Sequence, residues 1–196
     1  MIVFWTYLTK NEENYLNYDT TIQLGDGMNN VNIQEMEKFV KLISNDPSQA
    51  KKNKKVTGSW IFEERKPQFV SNVDFNKGKI VLNCELPPFA GGYGTSPDPI
   101  QYCLYGLAAC FAVTFAASAT KEGINLTKLE VTAENWMDLR KQMGVSKDNI
   151  IQKVKFTVHA EGASKDVLMK ILRLAEERCP GTECVTRRIP LEVEMI

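Results

Sequence analysis

The sequence predicts a helix-and-sheet fold, an antiparallel sheet covered on one side by helices. Three observations carry that prediction: several short runs alternate apolar and polar residues with period two, one long run carries no charge, and a later run repeats its apolar residues at helical spacing. At 196 residues, with 43% hydrophobic and 24% charged residues, the chain suits one domain, or one domain with an appendage, and is too apolar for intrinsic disorder. Its 24 Lys and Arg balance 24 Asp and Glu, so it lacks the basic footprint of a nucleic-acid binder. The single histidine, His159, excludes a multi-histidine metal site and most histidine-paired hydrolase designs.

Residues 1–55 read as an N-terminal extension. Met1–Trp5 is apolar but has no positive region before it, and Lys10 and Glu12 follow, so it reads as a short strand, not a signal peptide. A reducing cytoplasm is therefore expected, where five cysteines form no structural disulfide framework. Asn32 is placed to cap a helix whose Met36, Phe39, Val40 and Ile43 fall at i, i+3, i+4 and i+7. Asp46-Pro47 ends it or begins another turn, and Lys51, Lys52, Lys54 and Lys55 read as a solvated connector.

From residue 56 the strands begin. Trp60 and Phe62 share one face, Phe69, Val73 and Phe75 mark a second strand, and Ile80, Leu82, Cys84 and Leu86 a third, with a hairpin turn at Asn76-Lys77-Gly78. The stretch Gly91-Gly92-Tyr93-Gly94 lacks both the Lys-Ser/Thr ending of a P-loop and the dinucleotide glycine spacing, so it is expected to pass close to other backbone. Asp98 and Pro99 supply an N-cap and a first helical residue. The uncharged run Ile100–Thr120 that follows is long enough to span a bilayer. Its many Ala, Gly, Ser and Thr residues would gain little from lipid, so it reads as a buried core helix with no membrane partner.

The second half adds strands at Leu129, Val131 and Ala133, then at Val154, Phe156, Val158 and Ala160, with His159 on a polar face. An amphipathic helix over residues 164–179 turns Leu168, Ile171, Leu172 and Ala175 inward, and Leu191, Val193 and Met195 predict a closing strand. Cys179 continues the buried stripe of its helix, and Cys110 lies midway along the uncharged one. Geometry alone makes two inert packed thiols the plainer reading. Cys84 reads as core, Cys103 roughly shares the face of Cys110, and Cys184 closes Cys-Pro-Gly-Thr-Glu-Cys, which is not a Cys-x-x-Cys spacing.

A resemblance raises the functional reading. Ser96-Pro97-Asp98-Pro99, Tyr102, Leu104, Gly106-Leu107-Ala108-Ala109-Cys110-Phe111-Ala112, Thr114 and Ala116 resemble the signature helix of the OsmC/Ohr family, the osmotically inducible and organic hydroperoxide resistance proteins. The later order of strand, strand, amphipathic helix, Cys179-Pro180 and final strand is similar too, so that residues 56–196 resemble a divergent OsmC-like domain. The resemblance implies an α+β fold in which two chains intertwine as a homodimer, their antiparallel sheets packed on long central helices. It implies Cys110 as the peroxidatic thiol and Cys179 as the resolving thiol, an organic hydroperoxide as substrate, a dithiol as reductant, and no cofactor or metal.

The sequence also departs from that pattern. Active members carry an Arg in the loop before the helix and a Glu just after its Asn-Pro start. Here Asp98-Pro99 is followed by Ile100 and Gln101, and the loop Pro87–Pro97 holds no arginine. Gln101 can hydrogen-bond but supplies no counter-charge. Arg65, Arg187 and Arg188 are the candidate replacements, with solvated surface arginines as the blander account. The departure keeps open a second reading, a non-catalytic OsmC-like dimer that binds a small apolar ligand or a protein partner. A cysteine-bound metal is a third.

Overall fold

The computed structural model describes residues 27–196; the strand expected at Met1–Trp5 lies outside the described residues. Helix α1 (Ile33–Asn45) begins at the expected cap, with the Asn32 side chain accepting the Glu35 N–H at 3.1 Å. Asp46 then caps a short 3-10 turn, Pro47–Ala50. The apolar stripe of α1 is mostly uncovered: Ile33 is buried, whereas Phe39, Val40 and Leu42 face solvent.

Strands β1 (Thr57–Trp60), β2 (Phe69–Phe75) and β3 (Gly78–Cys84) form one antiparallel sheet in that order. Phe75 pairs with Gly78, so the β2–β3 turn is the tight hairpin that Asn76-Lys77 favours. β1 stops at Trp60, and Phe62, expected on its face, lies beyond the strand and is exposed.

The loop from β3 to the next helix is built around a carboxylate. Glu85 is buried and accepts the N–H groups of Tyr93 at 3.2 Å, Ser96 at 2.8 Å and Thr95. Gln68 holds the other side, accepting the Leu86 N–H at 2.8 Å and donating to the Gly91 carbonyl at 3.3 Å. Gly92 passes so near Leu86 that a Cβ there would lie 1.5 Å from its carbonyl oxygen. The glycine stretch is thus a close-approach loop, as its sequence predicts.

Helix α2 (Pro99–Lys121) opens with a complete capping box: Asp98 accepts the Gln101 N–H and the Gln101 side chain accepts the Asp98 N–H, each at 2.9 Å. Strands β4 (Lys128–Met137) and β5 (Ile151–Glu161) form a second antiparallel sheet. The register sets Leu129 opposite Ala160, Val131 opposite Val158 and Ala133 opposite Phe156, which puts all six on one face. That face packs on α2 and on α3 (Lys165–Arg178) around Phe111, Phe115, Ala119, Ile171, Ala175 and Cys179, and the Phe111 and Phe156 rings meet at 5.0 Å between centroids.

Two expectations are corrected, and one further element is found. Among the described residues α2 is the one helix long and apolar enough to cross a bilayer, yet a single chain covers only one side of it. Phe115 is 1% exposed, while Tyr105 and Val113 on other faces are 73% and 67% exposed. The closing strand does not form within the chain; Leu191, Val193 and Met195 alternate as a strand would but all are exposed. Their pattern needs a sheet edge to pair with, and no edge among the described residues takes them. The segment after Pro180 is a further helix, α4 (Pro180–Thr186), because Pro fits a first helical position and Glu183 favours its first turn.

The start of the described chain is tied to this core. Asn29 donates to the Thr120 hydroxyl at 3.0 Å and to the Ile124 carbonyl at 2.8 Å, and accepts the Leu126 N–H at 2.7 Å. Asn29→Ala leaves the Ile124 carbonyl and the Leu126 N–H without these partners and is expected to cost about 1–3 kcal/mol, read as a lower midpoint of urea unfolding. A second expectation concerns pH. Burial alone would raise the Glu85 pKa, but the N–H groups of Tyr93, Ser96 and Thr95 outweigh it and hold the carboxyl below its usual range. Its contribution is therefore present above the unfolded value of about 4.3 and is lost as the pH falls further, through the folded value. Unfolding midpoints of parent and Glu85→Gln should differ at pH 7 and converge in acid; a gap that persists unchanged to low pH would contradict this account.

Candidate active site

Cys179 ends one helix and begins another. Its N–H closes α3 on the Ala175 carbonyl at 3.0 Å, and its own carbonyl accepts the Glu183 N–H of α4 at 3.1 Å. Pro180 forces this break, since it has no N–H to continue α3 and has the fixed φ of a helix start. The cysteine is left 1% exposed at the junction, inside the core cluster.

The junction presses against the middle of α2. A Cβ built on Gly181 would lie 3.3 Å from Cys110 Cβ, 3.3 Å from Leu107 Cδ2 and 3.5 Å from Cys179 Sγ. Both cysteines thus flank one glycine, and the missing side chain lets the two helices approach closely. The structure brings together the two cysteines that the sequence analysis singled out.

Their electrostatics differ. Burial raises the pKa of both thiols. At Cys179 the burial effect is outweighed by the Thr182 N–H and hydroxyl, the Cys110 thiol and the Gly181 N–H, so its thiol titrates below the ordinary value. These are weak contacts to sulfur, looser than the oxygen caps of Asn32 and Asp98. The Thr182 hydroxyl is buried beside the sulfur with no hydrogen bond of ordinary geometry of its own. At Cys110 burial prevails over the Gly181 N–H, and a negative Cys179 beside it pushes the thiol higher still. Of the two thiols, Cys179 is therefore the one more readily ionised.

The supporting residues proposed from sequence are elsewhere in the single chain. Gln101 is spent on the α2 capping box. Arg65 is exposed in a left-handed bend at φ 62°, Arg187 pairs with Glu183 at 3.2 Å on the exposed side of α4, and Arg188 lies exposed just beyond α4. The groups governing the two sulfurs are N–H and O–H donors, not these cations. Thr182 and Gly181 are the functional residues that sequence reasoning passed over; Cys-Pro-Gly-Thr-Glu, read as cap, Pro at N1 and acid in the first turn, carried the signal. His159 sits on the polar face of β5, 3.1 Å from Glu161. Among the described residues no three His, Cys, Asp or Glu side chains converge as a metal site.

The comparisons with known proteins agree with this architecture. A sequence model of OsmC-like proteins matches residues 92–194, from the glycine loop through the final alternating segment. An uncharacterized Bacillus subtilis (strain 168) protein, YmaD, is 22% identical over 119 residues, covering 60% of this chain and 79% of its own. An organic hydroperoxide resistance protein from Elizabethkingia anophelis, solved with thiocyanate bound, superposes with a TM-score of 0.52 at 16% identity, over 69% of this chain and 91% of that one. An OsmC-like protein of unknown function from Vibrio cholerae gives a TM-score of 0.51 at 19% identity, over 69% and 95%. At these identities the solved structures speak for the fold alone, and the match over residues 92–194 speaks for the family: the chain belongs to the OsmC-like proteins.

Proposed function

We propose that this protein reduces organic hydroperoxides by thiol chemistry, with Cys110 as the attacking sulfur and Cys179 as the resolving one. The observation that carries the reading is the pairing of these two free thiols across Gly181, with the Cys179 thiol held below its ordinary pKa by neighbouring donors. Names given to similar structures, such as organic hydroperoxide resistance protein, support the substrate class. Cys110 is the more open of the pair, half-buried where Cys179 is sealed, so a peroxide meets it first. Without an arginine at the site, the Cys179 thiolate supplies the base. As Cys110 attacks a peroxide oxygen and the O–O bond breaks, its proton passes to Cys179 and on to the departing alkoxide, giving the alcohol and a Cys110 sulfenic acid. The Cys179 thiolate then attacks that sulfur, the S–S bond forms, and hydroxide leaves. An external dithiol returns both thiols. All five cysteines are free, which suits the reducing cytoplasm as its compartment.

The same reading includes a homodimer. The uncovered faces of α2, the exposed apolar side of β1–β3 and the unpaired Leu191–Met195 alternation suit intertwining with a second chain.

Cys110→Ser is expected to drop consumption of cumene hydroperoxide to the uncatalysed background, and Cys179→Ser to leave a sulfenic acid at Cys110 that a cyclic dione traps. Peroxide loss at the parent rate in Cys110→Ser would reject the mechanism and favour the packed-thiol dimer that binds an apolar ligand. Light scattering on the eluting protein is expected to give twice the mass of the chain; a monomer at micromolar concentration would contradict the dimer.

A further inference from the structure

Reduction of the oxidised pair meets a steric problem. Cys179 is 1% exposed and Cys110 only half open, so a protein-sized dithiol has poor access to either sulfur. A third thiol lies on the helix that seals them. Cys184 is on α4, three residues after Gly181, and is exposed. Positions three apart on a helix share a face, with Cβ positions about 5–6 Å apart, and Gly181 faces Cys110 with 3.3 Å between β positions. Cys184 thus sits one turn outward from the contact that joins the two cysteines. Its nearness is felt at Cys110, where a charge on Cys184 raises the thiol's pKa. From Glu183 onward α4 is exposed throughout, so the few ångströms needed to reach disulfide separation fall on a short helix with little covering it.

We infer that Cys184 is a relay thiol that carries the disulfide from the buried pair to the surface. The inference rests on the Cys110–Cys179 redox pair proposed above. In the exchange, the Cys184 thiolate attacks the Cys110 sulfur of the Cys110–Cys179 disulfide. The Cys110–Cys184 bond forms, the Cys110–Cys179 bond breaks, and Cys179 leaves as the thiolate that the Thr182 and Gly181 N–H groups stabilise. An external dithiol then attacks the exposed Cys184 sulfur, forming a mixed disulfide and freeing Cys110. Its second thiol closes on the first, releasing Cys184 and leaving the dithiol oxidised.

The test uses no peroxide, so it is independent of the substrate. Reduced full-length protein is oxidised with diamide, alkylated in acid and mapped by peptide mass spectrometry. The parent is expected to show both Cys110–Cys179 and Cys110–Cys184 linkages, and Cys179→Ser to show Cys110–Cys184. Oxidised Cys184→Ser and Cys184→Ala are expected to be reduced at least tenfold more slowly than the parent by a thioredoxin-type protein dithiol, yet equally fast by a small phosphine. Absence of the Cys110–Cys184 linkage in both chains, or parent-rate reduction of both variants by the protein dithiol, would overturn the relay. If Cys110→Ser still consumes peroxide while the parent forms the Cys110–Cys184 linkage, the peroxidase reading fails and the relay stands.

Discussion

The close approach of α4 to α2 across Gly181 governs much of the site. With a side chain at that position, its β carbon would press on Cys110, Leu107 and the Cys179 sulfur together, and these neighbours would have to give by a few tenths of an ångström. Even that small shift would fall on the two cysteines and on the Thr182 and Gly181 donors beside the Cys179 sulfur. One absent side chain therefore links packing to chemistry. The same economy appears upstream, where Gly92 runs against the Leu86 carbonyl and lets the Glu85-centred loop deliver the chain to Asp98 at the start of α2.

Burial and ionisation pull in opposite directions at this site. A thiol in an apolar cluster is driven toward its neutral form, and both cysteines feel that cost. The chain meets it at only one of them, by placing Cys179 where a helix begins and N–H groups are free of helical partners. Cys110, midway along α2, has only the Gly181 N–H reaching it from α4, since the N–H groups of its own helix are committed to helical bonds. The asymmetry follows from backbone position: a cysteine at a helix start can hold charge, and a cysteine in a helix middle beside it can borrow that charge through a shared proton.

Much of this was legible in the sequence, because the signals were local. Asn32, Asp98 and Pro99 announced their helix starts, Asn76-Lys77 its hairpin, and the alternation of Leu129, Val131, Phe156 and Val158 its sheet. Cys110 and Cys179 were paired by resemblance, and the packing of two helices on one sheet face brought them together. What escaped was non-local or too short to show a period. The seven residues of α4 complete barely two turns, so their helical pattern is invisible and their N–H donors went uncounted. The carboxylate of Glu85 looked like one more polar residue beside a strand, since its three backbone partners come from a loop whose path no periodicity encodes.

The uncovered surfaces share one physical origin. An apolar residue is stabilised by whatever removes it from water, and the sequence pattern does not say which chain that is. Ile100–Thr120 reads as buried all round, and Leu191–Met195 as a strand, because both patterns describe burial and pairing without naming the partner. A single chain satisfies the α2 pattern only on the side of Phe111 and Phe115, and leaves Leu191, Val193 and Met195 facing solvent. The mismatch is therefore informative in itself. Where alternation and helical apolarity are both present in the sequence and both left uncovered among the described residues, a second copy presenting the same faces by symmetry is the occupant proposed above.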